Sequence, residues 1–158
     1  MAPRSALFIE SDSAFVDVPS ALDPSGMAVL ARMQVAGVAI VILGSADVAR
    51  RDAITVALAA RSIVPAAVLD QAKPWSAKRL LAAAAAAGAA TATSWLVCGD
   101  AGAIPAAESA GLAGVVLIGV DPPPGEHLLV VNRADSLADV PRVLIPRAGG
   151  CWHERVDS

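Results

Sequence analysis

The chain has 158 residues, a formal net charge of −3, and 56% hydrophobic but only 3% aromatic residues, so one domain with a core of Ala, Val, Leu and Ile is expected. No basic run is present, which argues against a nucleic-acid footprint, and two cysteines, Cys98 and Cys151, are too few for a disulfide scaffold and point to a reducing cytoplasm. Gly111 to Val120 is far too short for a membrane span, and acids at Glu10 and Asp12 interrupt the N-terminus before a signal-peptide core forms.

The first element is a short apolar run, Leu7-Phe8-Ile9, which reads as a parallel strand covered on both faces because alternation is lost. Glu10 and Asp12 fall at its C-terminal end. In open α/β sheets that edge binds ligands, and two carboxylates there repel unless a cation, a lysine or a proton lies between them. The same acids also fit a turn facing water. Ser13 to Pro19, with Phe15, Val16 and Val18, reads as a flap or hairpin.

Asp23-Pro24 then supplies a cap and a first-turn proline for a helix that buries Met27, Leu30, Ala31 and Val35 and stops at Gly37. Val38 to Leu43 is a second buried strand, closed by Gly44-Ser45. Asp47 to Arg61 is a helix with Ile54, Val56, Leu58 and Ala59 on its apolar side. Val64 to Leu69, with Pro65 near its start, is a third strand.

Lys73-Pro74 opens a helix through the alanine run to Gly88. Trp95 to Cys98 is a fourth strand, ending in Gly99-Asp100. A short helix from Pro105 to Ala110, a fifth strand from Val115 to Val120, the stiff loop Pro122 to Gly125, an edge strand from Leu128 to Val131 and a last helix from Leu137 to Leu144 complete the order. Strands alternating with helices define an α/β fold with a doubly wound parallel sheet, one domain over 1–146 and a tail over 147–158.

Polar residues recur after these strands: Glu10 and Asp12, Gly44-Ser45, Lys73 and Asp100. In that order they resemble the haloacid-dehalogenase (HAD) superfamily of phosphatases, and within it the small histidinol-phosphatase and heptose-bisphosphate phosphatase group. The likeness runs from about Ala6 to Leu144 and implies a HAD-like Rossmannoid sheet without a large cap domain. It implies a carboxylate nucleophile at Glu10, an acid–base residue at Asp12, phosphoryl contacts from Gly44, Ser45 and Lys73, and magnesium held by Glu10, Asp12 and Asp100. Attack on phosphorus would form an acyl-phosphate that water hydrolyses.

Three positions depart from that pattern. Glu10 stands where the family has aspartate, Gly44 where it has a hydroxyl, and Ile104 where it has an outer acid. The relatives' zinc loop of cysteines and histidine is also missing between Ser62 and Gln71. A misplacement of about 1 Å is enough to cost roughly a hundredfold in rate, and the extra methylene of Glu10 is of that size. The expectation is therefore a weak or silent phosphatase-like protein that works by binding a phosphorylated ligand or a protein partner, with weak magnesium affinity. An active magnesium-dependent phosphomonoesterase on a small metabolite is the alternative.

Other readings accompany these residues. Asp100 also suits the cap of the following helix, Lys73 a surface lysine, Cys98 a buried small hydrophobe, and Trp75 either packing or the pocket mouth. Cys151, Trp152 and His153 are too few ligands for a metal and suggest a loose or docking segment.

Overall fold

The structure, a computed structural model, describes residues 4–11, 24–44, 47–69 and 73–143. Six strands form one sheet: β1 (Ala6–Glu10), β2 (Ala39–Leu43), β3 (Ala67–Leu69), β4 (Trp95–Cys98), β5 (Gly114–Ile118) and β6 (Val130–Ala134). Their spatial order is β3-β2-β1-β4-β5-β6, and every pairing is parallel. β1 is thus central, bonded to β2 on one side and β4 on the other, and all five of its residues are buried.

The strand residues divide by parity between two cores. Leu7 and Ile9 pack with Ile40 and Ile42 of β2 and Val97 of β4 against helices α1 (Pro24–Val35) and α2 (Val48–Ala60). Ala6 and Phe8 pack with Val41, Leu43 and Leu96 against α3 (Ala77–Ala87) and α4 (Ile104–Ala110). The alanine run has a structural use here. Ala83, Ala84 and Ala87 are buried and let α3 lie close against α4 and the sheet. The short closing helix α5 (Val140–Val143) follows a 3-10 turn at Leu137–Asp139.

Two buried hydroxyls fix the central strand at its ends. Ser94 Oγ accepts from Ala6 N–H at 2.9 Å, and Ser11 Oγ donates to Leu43 C=O at 3.1 Å. Each removes a buried polar group that would otherwise cost on the order of 1–3 kcal/mol unpaired.

The structure also corrects several sequence expectations. α3 does not begin at Lys73-Pro74, whose peptide bond is cis; it begins after Ser76, whose Oγ accepts from Arg79 N–H at 3.4 Å. Val35 is 88% exposed and Val56 68% exposed, so neither belongs to the apolar face of its helix. β3 is shorter than expected and starts at Ala67, beyond Pro65. β6 begins two residues late because Leu128 is 92% exposed, and it continues through the polar pair Asn132-Arg133. No described helix is long and apolar enough to cross a membrane. The flap at 13–19 and the tail at 147–158, with Cys151, Trp152 and His153, lie outside the described residues.

Candidate active site

The candidate site is the edge where β1, β2 and β4 end. Because β1 is hydrogen-bonded on both sides and packed on both faces, its last residue has no freedom to withdraw. Glu10 is that residue. Glu10 is 3% exposed, and its Oε1 accepts from Gly99 N–H at 3.0 Å, which joins the β1 and β4 ends directly.

Asp100 follows Gly99 and is held by three donors. Oδ1 accepts from Gly102 N–H at 2.8 Å. Oδ2 accepts from the Trp75 indole N–H at 2.8 Å, and Lys73 Nζ lies 3.3 Å from the same oxygen. The Trp75 bond above all, then the Gly102 amide, holds the Asp100 carboxyl below its ordinary value. The capping reading of Asp100 is therefore seen directly, since one oxygen caps the turn that opens toward α4, while the other oxygen faces Lys73.

Lys73 is 63% exposed, so its ammonium reaches out over this edge while keeping Asp100 as counter-ion. Cys98 lies beneath: its Sγ is 3.5 Å from Asp100 C=O, and burial pushes the thiol up to about 12. Glu10 is bonded to Gly99, and Asp100, the next residue, is paired with Lys73, so the three charges follow one another along this edge. Cys98 is the buried hydrophobe expected, and its burial disfavours the thiolate.

The remaining expected residues fare differently. Gly44 is buried, and its N–H is committed to Leu69 C=O at 2.7 Å, so it offers an anion neither a hydroxyl nor that amide. Ile104 is 3% exposed at the start of α4, which puts an apolar side chain where the outer acid would stand. Asp12 and Ser45 lie outside the described residues. Trp75 is the side chain at this edge that sequence reasoning underweighted, since its indole N–H binds Asp100. Its signal was an indole two residues from the lysine, a group that wants a hydrogen-bond partner when partly buried.

Magnesium fits the chemistry of this edge. Glu10 and Asp100 present hard carboxylate oxygens at adjoining strand ends, and magnesium is commonly held by one or two carboxylates plus phosphate. The described residues contain no cluster of three or more metal-ligating side chains. Beside the edge, between α2 and the β2–β3 margin, lies a mostly apolar cavity of about 350 Å³ bordered by Ser11, Gly44, Ile54, Leu58 and Val68.

No protein-family model matches the sequence, and no curated protein does so. Solved structures do match. One is the core domain of a presumed phosphoglycolate phosphatase from Streptococcus pneumoniae, with TM-score 0.59 and 14% identity over 89% of this chain and 94% of that one. Another is a presumed HAD-like phosphatase from Mesorhizobium loti, with TM-score 0.62 and 16% identity over 89% of this chain and 85% of that one. A dehalogenase matches with TM-score 0.58 and 18% identity over 78% of this chain and 57% of its own. The chain has the HAD-like fold of these phosphatases and this dehalogenase.

Proposed function

We propose that this chain is a phosphatase-like protein that binds a phosphorylated small molecule at the Glu10–Lys73–Asp100 edge and hydrolyses it slowly or not at all. The observation that carries this reading is the position of Glu10. Its carboxylate sits on a strand that cannot retreat and is drawn toward Gly99 N–H, so the oxygen does not occupy the place a shorter side chain would reach. In-line attack tolerates little displacement, and about 1 Å is enough for a hundredfold loss.

Lys73 supplies the ammonium for a phosphoryl oxygen, with Asp100 keeping it directed at the edge. Glu10 is the carboxylate next to phosphorus. Asp12, two residues further on, is the proposed proton donor to the leaving group. Glu10 and Asp100 together outweigh Lys73, so a phosphate dianion meets net negative charge here. Magnesium, held by Glu10 and Asp100 with Asp12, would supply the charge that offsets this repulsion. The Lys73-Pro74 and Gly99-Asp100 pairs favour kinship with the small-metabolite phosphatases of the histidinol-phosphate type, and a reducing cytoplasm suits the buried thiol of Cys98.

The second reading, an active phosphomonoesterase, draws on the intact Lys73–Asp100 pair. A protein partner in place of a metabolite remains within the first. A phosphate-release assay with magnesium over a panel of phosphorylated metabolites, paired with calorimetry of the same compounds and a Glu10→Ala control, separates them. Binding without turnover supports the first reading. Turnover near ten per second, ordinary for enzymes, overturns it.

A further inference from the structure

Asp100 is one of two described carboxylates at the site, and both of its oxygens are pinned from fixed positions. Gly102 N–H holds Oδ1, and the Trp75 indole holds Oδ2. Glycine leaves room for the first contact, because a Cβ at position 102 would lie 3.0 Å from Oδ1 and press on the carboxylate. The second depends on tryptophan, since the indole body packs against the α3–α4 core while its N–H points at the carboxylate. Lys73 and Trp75 flank Pro74, so one short turn delivers both a charge and a directional donor to the same oxygen.

A carboxylate has about four lone-pair directions, and three are taken by Gly102, Trp75 and Lys73. Among the described residues, what is left is a single, oriented acceptor position. A flexible ammonium such as Lys73 neutralises a carboxylate without fixing its plane; a rigid ring N–H fixes the plane.

We propose that Trp75 is a positioning residue for magnesium, fixing the Asp100 carboxylate plane so that one oxygen direction remains for the ion. This rests on the reading of the edge as a phosphoryl and magnesium site. Partners that orient a ligating carboxylate are worth about ten- to a hundredfold in metal affinity. Trp75→Phe keeps the aromatic packing and removes only the donor.

The test uses the full chain and magnesium alone. Calorimetry compares wild type with Trp75→Phe, and a magnesium titration follows the indole N–H resonances of the wild type. Trp75 is assigned by its loss in the variant, and Trp95, buried at the far end of β4, serves as internal reference. The expected results are a dissociation constant about ten- to a hundredfold weaker in Trp75→Phe, and a Trp75 resonance that moves with saturation while Trp95 stays still. Wild-type binding with unchanged or tighter affinity in Trp75→Phe overturns the role of Trp75 and leaves the site reading intact. So does wild-type binding that leaves every indole N–H resonance still, a readout that does not require the variant to fold. No magnesium binding to wild type at millimolar concentration overturns both.

Discussion

Glu10→Asp separates what position 10 does for folding from what it does for chemistry. Removing one methylene draws the carboxylate back by about 1 Å, somewhat less than one carbon–carbon bond. The contact to Gly99 N–H, now 3.0 Å, would open to roughly 4 Å. That distance is no hydrogen bond. Loss of a hydrogen bond to a charged group costs about 1.5–3 kcal/mol. For a chain of this size each kcal/mol is about 2–4 °C in Tm, so a fall of roughly 3–12 °C is expected. Chemistry should move the opposite way. If the extra methylene is what displaces the reacting oxygen, phosphate release should rise by up to about a hundredfold. The two readouts are a thermal melt and a magnesium-dependent phosphate-release assay on one preparation. A variant that is both slower than its parent and equally stable would refute the reasoning, because Glu10 would then be neither strained against catalysis nor tied to Gly99.

Adding Gly44→Thr to Glu10→Asp should raise activity further, since it returns a hydroxyl to the β2 end beside the 350 Å³ cavity; the two gains should not be additive because they act on one phosphoryl group, which a double-mutant cycle in kcat measures. Gly114→Ala should lower stability by about 1–3 kcal/mol, read by urea melts, because a Cβ there would lie 2.4 Å from the Trp95 ring facing it across the strands. Asp100 has a folded pKa below its ordinary 3.8, so its contribution to stability is complete above that value and is lost as pH falls through the lower folded value. The stability gap between wild type and Asp100→Asn should accordingly close on acidification, as melts between pH 5 and pH 2 would show. Cys98, with its thiol raised to about 12, should resist a thiol reagent in a native Cys151→Ser background and react once the chain unfolds.

Most of the sheet was legible because buried parallel strands announce themselves as unbroken apolar runs. Trp95–Cys98 was read to the residue, and β1 and β2 to within one. Their polar terminations placed Glu10, Gly44 and Asp100 at one edge without any distance in hand. What failed depended on geometry that composition does not carry. Proline suits a first helical turn, so Lys73-Pro74 read as a helix start, yet the cap that ends the loop is Ser76. Val35 and Val56 look apolar in any periodic scheme, but helix rotation leaves them in water. β6 was misplaced because an edge strand can carry Asn132 and Arg133, and apolarity then stops marking its extent. The Trp75–Asp100 bond spans 25 residues and joins two loops, so no local pattern could specify it.

The central place of β1 also sets an order of events in the cell. Its pairing with β2 closes after about one crossover, but the Ser94 hydroxyl that Ala6 binds is 88 residues away and Gly99 is 89 residues from Glu10. At about 5–20 residues per second, the ribosome leaves Leu7-Phe8-Ile9 with one bare strand edge for roughly 4–18 s. Such an edge, short and strongly apolar, is a template for pairing with another chain. Nascent chains should therefore depend on chaperone cover until the fourth strand emerges, and stalled products ending before Trp95 should aggregate. The carboxylate that would carry the chemistry thus meets its Gly99 donor only after 89 further residues have been made.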